Sequence, residues 1–464
     1  MQEIERKYLL NDSILPFLKN LHPICKNYTQ FYTKITPDES LRYRKEGKHY
    51  YQTYKQGKGA IRKEIEKEID GKYYHKKLDK CVGNLIKKER CLIKIENKEY
   101  SIDNYKEQLK SLIVMEIEFP NIQDYKKYKL PSILQKFIKK EVTMDECYKN
   151  KNLALFGLPL DDKDHKRIDH VLPKLLQKQY EAIKTYRQKV CKGDDEEDLH
   201  QLRIALRKSI TLIGASKFMF EDNSWREHKI FLKQVISLTN EKRDLDVFKQ
   251  TLKQQQIQYK TPLFVNAVYS INHKIEDKLQ DENKKIISSL QSPYFDKGFI
   301  NYQAFIMDMF KKNESVYGAY HSQKIAKYML YKYNKKMKIL MYQYKSNHNE
   351  ELLHTIRIIF KKLRYILESF RDFFHKKEIL LTIKNIKQIQ TSLGIFHDIC
   401  EQKRILLDFL GECKDENIVF VIENGLLPGL KNFRKKELKE IERAIDDFIE
   451  KHQNYCSCFT YIVK

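Results

Sequence analysis

The 464-residue chain contains no apolar run of about 18 residues, the minimum a membrane-spanning helix needs. Charge enters from residue 3 onward, within a segment that reads as a strand from residue 2, so neither a membrane span nor a signal peptide is expected. Nine cysteines occur without a CxxC pair. The close pair Cys456 and Cys458 is a weak metal spacing, and reduced thiols in a cytoplasmic protein are the expectation. Glycine is sparse, at 14 residues, which suits helices over turn-rich architectures. Acids are in deficit: 63 Asp and Glu face 88 Lys and Arg, leaving a formal charge of +25. Such an excess concentrates anions, whether nucleic acid, acidic lipid, nucleotide or polyphosphate.

What is present is a folded composition, 41% hydrophobic and 33% charged, on a chain long enough for two or three domains. Over the first 157 residues, short segments alternate charged and apolar positions as strands do. Glu3, Glu5 and Lys7 share one face of the first; Arg42 and Arg44, then Thr53 and Lys55, follow. A Gly57-Lys58-Gly59 hairpin turn leads to Arg62, Glu64, Glu66 and Glu68, and later come Lys88 with Arg90 and Glu116 with Glu118. The last pair interrupts an otherwise buried run, Ile113 to Phe119. Carboxylates on so apolar a strand need cations. A closed antiparallel barrel with a charged lumen accommodates every one of these segments, because interior and exterior positions alternate along each strand.

These elements, together with the ending that runs from Glu141-Val-Thr-Met-Asp145 through Tyr148 to Ala154, resemble the CYTH domain of the triphosphate tunnel metalloenzymes. The resemblance spans residues 1–157 and implies an eight-stranded tunnel that binds a triphosphate with Mg2+ or Mn2+. Lys7, Arg42, Arg44, Lys55, Arg62, Lys88 and Arg90 are the expected phosphate contacts, arginine for bidentate and lysine for point-charge contact. Glu3, Glu5, Glu116 and Glu118 are the expected metal ligands, with Glu64 and Glu66 as further ligands or partners of the bases. Catalysis is expected from Lys55, Tyr32 and Glu5, the Tyr–Lys pair being carried over from bacterial relatives. Asp103 resembles a family acid. Cys91 stands after Arg90 where relatives commonly have an aromatic.

Residues 158–167 read as a polar linker, and from 168 to 450 the period changes from two to about 3.6, that of amphipathic helices. His200, Arg203 and Arg207 lie on one helix face; His354, Arg357, Lys361 and Arg364 lie on another. His200 and His354, Arg203 and Arg357, and Arg207 and Lys361 are each 154 residues apart, as are Asp244 and Asp398, which points to an internal duplication. These residues resemble the CHAD domain, a helical module that binds inorganic polyphosphate through a basic surface between two halves. Ile210 departs from the pattern where the second half has Arg364. Asp244 and Asp398 are expected to orient the arginines.

The expected fold class is therefore α+β multidomain: an eight-stranded antiparallel tunnel, then an all-α bundle of two duplicated halves and a tail at 451–464. The expected activity is metal-dependent hydrolysis of tripolyphosphate to pyrophosphate and phosphate. Long-chain polyphosphate is the expected helical-domain ligand, either tethering the protein to polyphosphate granules or delivering substrate. Two alternatives stay open: action on a nucleoside or thiamine triphosphate, including cyclisation of ATP, and a non-catalytic polyphosphate-binding protein. No membrane or specific nucleic-acid partner is expected, since no aromatic strand platform for bases is evident.

Overall fold

A computed structural model describes residues 4–36, 39–56, 63–193, 195–220, 222–258, 261–311, 315 and 317–451. Glu3, Arg62, the Gly57–Gly59 turn and the Cys456/Cys458 pair lie outside the described residues. Two compact units result, one comprising the described residues to Ile168 with 317–328, the other those of 169–315 and 329–451.

In the first unit nine strands form one antiparallel sheet: β1 Ile4–Leu10, β2 Ile24–Ile35, β3 Glu39–Glu46, β4 His49–Gln56, β5 Lys63–Glu68, β6 Ile86–Ile95, β7 Lys98–Tyr105, β8 Ile113–Phe119 and β9 Ile138–Glu141. Their order is β5-β4-β3-β2-β6-β7-β8-β1-β9. The expected closed eight-stranded barrel is thus corrected to a nine-stranded, tunnel-like sheet. The ninth strand is β9, which pairs with Tyr8–Leu10 on the edge of β1. Among the described residues no ladder joins β5 to β1 or β9.

Register places the charged residues together. Lys7 faces Glu116 and Glu5 faces Glu118 across β1–β8; Ser101 faces Glu116; Arg90 faces Asp103; Lys88 faces Tyr28; Arg42 faces Tyr32 and Thr53; Lys55 faces Glu64 and Thr53 faces Glu66. Every one of these side chains lies on the same face of the sheet. The sheet also curls. Lys7 is four strands from Tyr32 and Glu64 three strands the other way, about 19 and 14 Å on a flat sheet, yet both charges act on the Tyr32 phenol.

The opposite face is the core. Tyr8, Leu10, Tyr100, Ile102, Met115 and Ile117 pack with Ile14 and Leu18 of α1 (Ile14–Asn20), and with Tyr128 and Leu134 beside the short helices α3 (Ile122–Lys127) and α4 (Ser132–Gln135). Each such side chain contributes about 1.5–3 kcal/mol on burial, which fixes the register and so the charged face. Farther along the sheet, α2 (Gly71–Leu78) starts at Asp70, which caps Lys72 and Tyr73, and lays Tyr74 against Phe31 and Tyr43. Along the charged face, Ile86, Tyr105 and Val114 join Leu153 and Ala154 of α5 (Asn150–Phe156) in an apolar plug. Gly83 permits that approach: its φ is +83°, and a Cβ there would meet the Ala154 carbonyl at 2.5 Å.

Cys25 and Cys91 face each other across β2–β6 with Cα atoms 4.1 Å apart, and form a disulfide. The expectation of reduced thiols fails at this pair, because register alone brings the two sulfurs together. Both lie on the outer face, since they alternate with Lys26 and Arg90.

The second unit is helical: α6 Ile168–Lys192, α7 Glu196–Ser216, α8 Ser224–Leu238, α9 Asn240–Gln258, α10 Pro262–Leu290, α11 Pro293–Lys311, α12 Ser322–Asn347, α13 Glu351–Ser369, α14 Lys376–Glu412, α15 Glu416–Val421 and α16 Leu427–Lys451. The first residues of α12 belong to the first unit. α7 packs on α8 and on α13, and α13 packs on α14. No helix among the described residues is long and apolar enough to cross a membrane.

Candidate active site and anion-binding groove

The charged face of the sheet is laced by ion pairs. Lys7 Nζ lies 3.1 Å from Glu5 and 3.0 Å from Glu116. Arg90 grips Asp103 with two nitrogens, at 2.7 and 2.6 Å, and reaches Glu116 at 2.9 Å. Asp103 is fully buried and also pairs with Lys88. Burial opposes charge on Lys7, Lys88, Arg90 and Glu116. For Lys7 and Arg90 the neighbouring carboxylates outweigh it and hold the pKa above the ordinary value. For Lys88 burial wins over Asp103, and its pKa falls. Burial likewise works against the Glu116 carboxylate, but Lys7, Lys88 and Arg90 hold it well below the usual range.

On β3–β5, Glu66 accepts from Arg42 at 3.3 Å, Arg44 at 3.0 Å and Thr53 at 2.5 Å. Lys55 and Glu64 pair at 2.7 Å. Tyr32 is buried, and burial raises its phenol pKa against Arg42 and Lys7, so it stays protonated as a donor. Three buried donors on this face have no hydrogen-bond partner among the described residues: Arg42 Nε, Arg44 Nε and Gln30 Nε2. Unpaired donors on a face this rich in lysine and arginine suit an oxyanion.

In the helical unit, the α7 row divides. Arg203 is 3% exposed and turns inward, donating to the Ile236 carbonyl at 3.1 Å, to Asn240 at 2.9 Å and to Thr239, at the corner between α8 and α9. Burial and Arg207 depress its pKa to about 9. Burial, with repulsion from Arg207, Arg357 and Arg364, pushes Lys361 down to about 6, Asp398 opposing. Arg357 Nε and Arg364 Nε are buried without hydrogen-bond partners among the described residues. The His354 and His397 rings stack at 5.4 Å. Asp244 acts on Arg203, and Asp398 on Arg357. Arg203→Ala is expected to destabilise the protein by about 3 kcal/mol through its lost charged hydrogen bonds. It should weaken polyanion binding less than Arg357→Ala does; thermal melts and binding titrations check this.

Comparison with known proteins places both parts. The CYTH domain model matches residues 1–144, and the CHAD domain model matches residues 174–407, half of the chain. The chain belongs to the CHAD family and carries a CYTH domain ahead of it. The CYTH domain is similar to an inorganic triphosphatase of Nitrosomonas europaea, 32% identical over 158 residues, which is 33% of this chain and 98% of that protein. A crystal structure of an inorganic triphosphatase is 27% identical over 33% of this chain and 95% of that one, with a TM-score of 0.26. The CHAD domain from the plant Ricinus communis shares the helical fold, at TM-score 0.52 and 17% identity, covering 62% of this chain and 94% of that one.

Within the CYTH domain, the carboxylates expected to hold a metal differ in their partners. Glu64 and Glu66 are engaged by Lys55 and by Arg42, Arg44 and Thr53. Glu116 is held by Lys7 and Arg90. Glu5, which Lys7 engages at 3.1 Å, stands directly opposite Glu118 across β1–β8. Like charges so placed repel, and a hard divalent cation with oxygen preference fits between them. No group of three His, Cys, Asp or Glu residues is preassembled for a metal among the described residues. Tyr28, Gln30 and Glu46 on the charged face escaped sequence reasoning. The Tyr28 ring lies 5.7 Å from both Arg44 and Arg90, and burial and Glu46 push its phenol up to about 12. β2 carries little charge on this face, so no alternation of acids and bases marked it.

Proposed function

We propose that the CYTH domain is a metal-dependent inorganic triphosphatase that cleaves tripolyphosphate to pyrophosphate and phosphate, and that the CHAD domain binds inorganic polyphosphate. The observation that carries the first reading is the convergence of Lys7, Arg42, Arg44, Lys88 and Arg90 on one curled face with unpaired donors at Arg42, Arg44 and Gln30. The similarity to an inorganic triphosphatase supports it. The clustered, partly unpaired cations of Arg207, Arg357, Lys361 and Arg364 support the second, as does the 154-residue repeat, read as two duplicated halves.

Glu5, Glu116 and Glu118 are the residues to hold Mg2+ or Mn2+, which when bound supplies charge neutralisation and an acidified water. Arg42, Arg44, Lys88 and Arg90 grip the chain's oxygens and stabilise charge as the terminal anhydride bond breaks. Tyr32 and Lys55 are assigned to the reacting end, the phenol donating a hydrogen bond and the ammonium neutralising charge on phosphate. Little covalent work falls to the protein, so geometry dominates.

Phosphate release from tripolyphosphate, ATP and thiamine triphosphate at equal concentration, with Mg2+ or Mn2+, tests the reading. Tripolyphosphate should be preferred, and Glu5→Ala should lower turnover by about a hundredfold or more. Undiminished turnover in Glu5→Ala and Glu116→Ala would remove the tunnel assignment.

A further inference from the structure

Outside the His/Arg rows, six lysines of the CHAD domain gather from separate segments: Lys217 after α7, Lys229 and Lys233 on α8, Lys332 and Lys336 on α12, and Lys362 on α13. Lys362 follows Lys361 and so points about 100° round the helix from the row. The cations acting on it are Lys229, Lys336 and Lys233, whereas those acting on Lys361 are Arg207, Arg357 and Arg364. Lys233 and Lys217 act on Lys229, and Lys217 acts on Lys332. The six are therefore one electrostatic group, distinct from the row.

Three of the amines lie over aromatic rings. Lys229 Nζ lies 5.3 Å from the Trp225 ring, Lys332 5.3 Å from Phe218 and Lys362 5.5 Å from Tyr333. The stem of Lys229 lies over Gly214, where a Cβ would come within 3.0 Å of Nζ. Among the described residues, Lys217, Lys229, Lys233, Lys336 and Lys362 have no carboxylate at ion-pair distance. Glu368 on α13 is engaged by Lys208 and Arg364. A fold gains nothing by gathering ammonium groups without a carboxylate among them, since they repel; a multivalent anion reverses that cost.

We propose that this lysine cluster is a second phosphate-chain site of the CHAD domain, which takes a stretch of inorganic polyphosphate independently of the His/Arg rows. Lysine suits such a ligand, because point charges on flexible stems need no fixed phosphate orientation. A single-stranded nucleic acid would ask for ring faces free to stack on bases. Here Lys229 and Arg226 cover Trp225, and Lys332 and Lys362 cover Phe218 and Tyr333.

The test uses the full chain and long-chain inorganic polyphosphate as the probe. In the wild-type protein, amine acetylation read by mass spectrometry should show Lys229, Lys233 and Lys362 protected when polyphosphate is added. That protection should persist in Arg357→Gln/Lys361→Gln. Lys229→Gln/Lys233→Gln/Lys362→Gln should bind about tenfold more weakly and lose about two units from the slope of log Kd against log salt. Equal acetylation with and without polyphosphate overturns the proposal, as does unchanged affinity in the triple variant; the row would then stand alone. Equal protection by an RNA of matched charge overturns the choice of ligand.

Discussion

Arg90→Ala will remove tripolyphosphate turnover and destabilise the CYTH domain together. On the proposed assignment turnover should fall by about a thousandfold, since a cation assigned to stabilise the transition state is lost. Stability should fall by about 3–5 kcal/mol, the cost of leaving a buried ion pair broken. The reason is Asp103, which is fully buried and takes two of its hydrogen bonds from Arg90, leaving only Lys88 afterwards. Arg44→Ala separates the two effects. Its partner Glu66 keeps Arg42 and Thr53, so turnover should drop by about a hundredfold while the melting temperature barely moves. Parallel melts and phosphate-release assays on both variants check this; an active, stable Arg90→Ala would contradict it.

Polyphosphate binding by the CHAD rows will take up protons and tighten as pH falls. Lys361 sits near pKa 6 because burial and three arginines oppose its charge, so at pH 8 it is mostly neutral in the free protein. Burial and arginines also lower His200 and His354. A phosphate chain favours the charged form, raising each bound-state pKa. Binding then costs about 1.4 kcal/mol more per pH unit above the free pKa for each linked group, up to tenfold in Kd. Calorimetry at pH 8 in buffers of different ionisation enthalpy should register about one proton taken up through Lys361. Lys361→Gln should flatten that dependence. Equal Kd at pH 6.5 and 8.5, with no buffer dependence, would contradict it.

The alternation of Glu5 with Lys7, Arg42 with Arg44 and Glu116 with Glu118 was legible because a strand's period of two sorts charge by face, and register then lines those faces up. Pairings were not legible. That Lys7 bridges Glu5 and Glu116, or that Cys25 meets Cys91, depends on strand order, which no local pattern encodes. β9 was missed because Ile138-Lys-Lys-Glu141 is too short to show a period. Helical spacing placed Arg203 beside His200 and Arg207, but only packing reveals that it turns inward to the α8–α9 corner. Segment 317–328 offered no sign that it belongs with the first unit; its ties are backbone bonds such as Leu160 to Ala319 and Ile168 to Tyr320, and the rings around Phe156.

The most direct measurement is anomalous diffraction from crystals soaked with tripolyphosphate and Mn2+. Manganese should lie between Glu5 and Glu118, near Glu116, with the phosphate chain running past Arg42, Arg44, Lys88 and Arg90. Manganese and phosphate bound only outside the curled sheet, with that face filled by its own ion pairs, would contradict a triphosphate-binding tunnel.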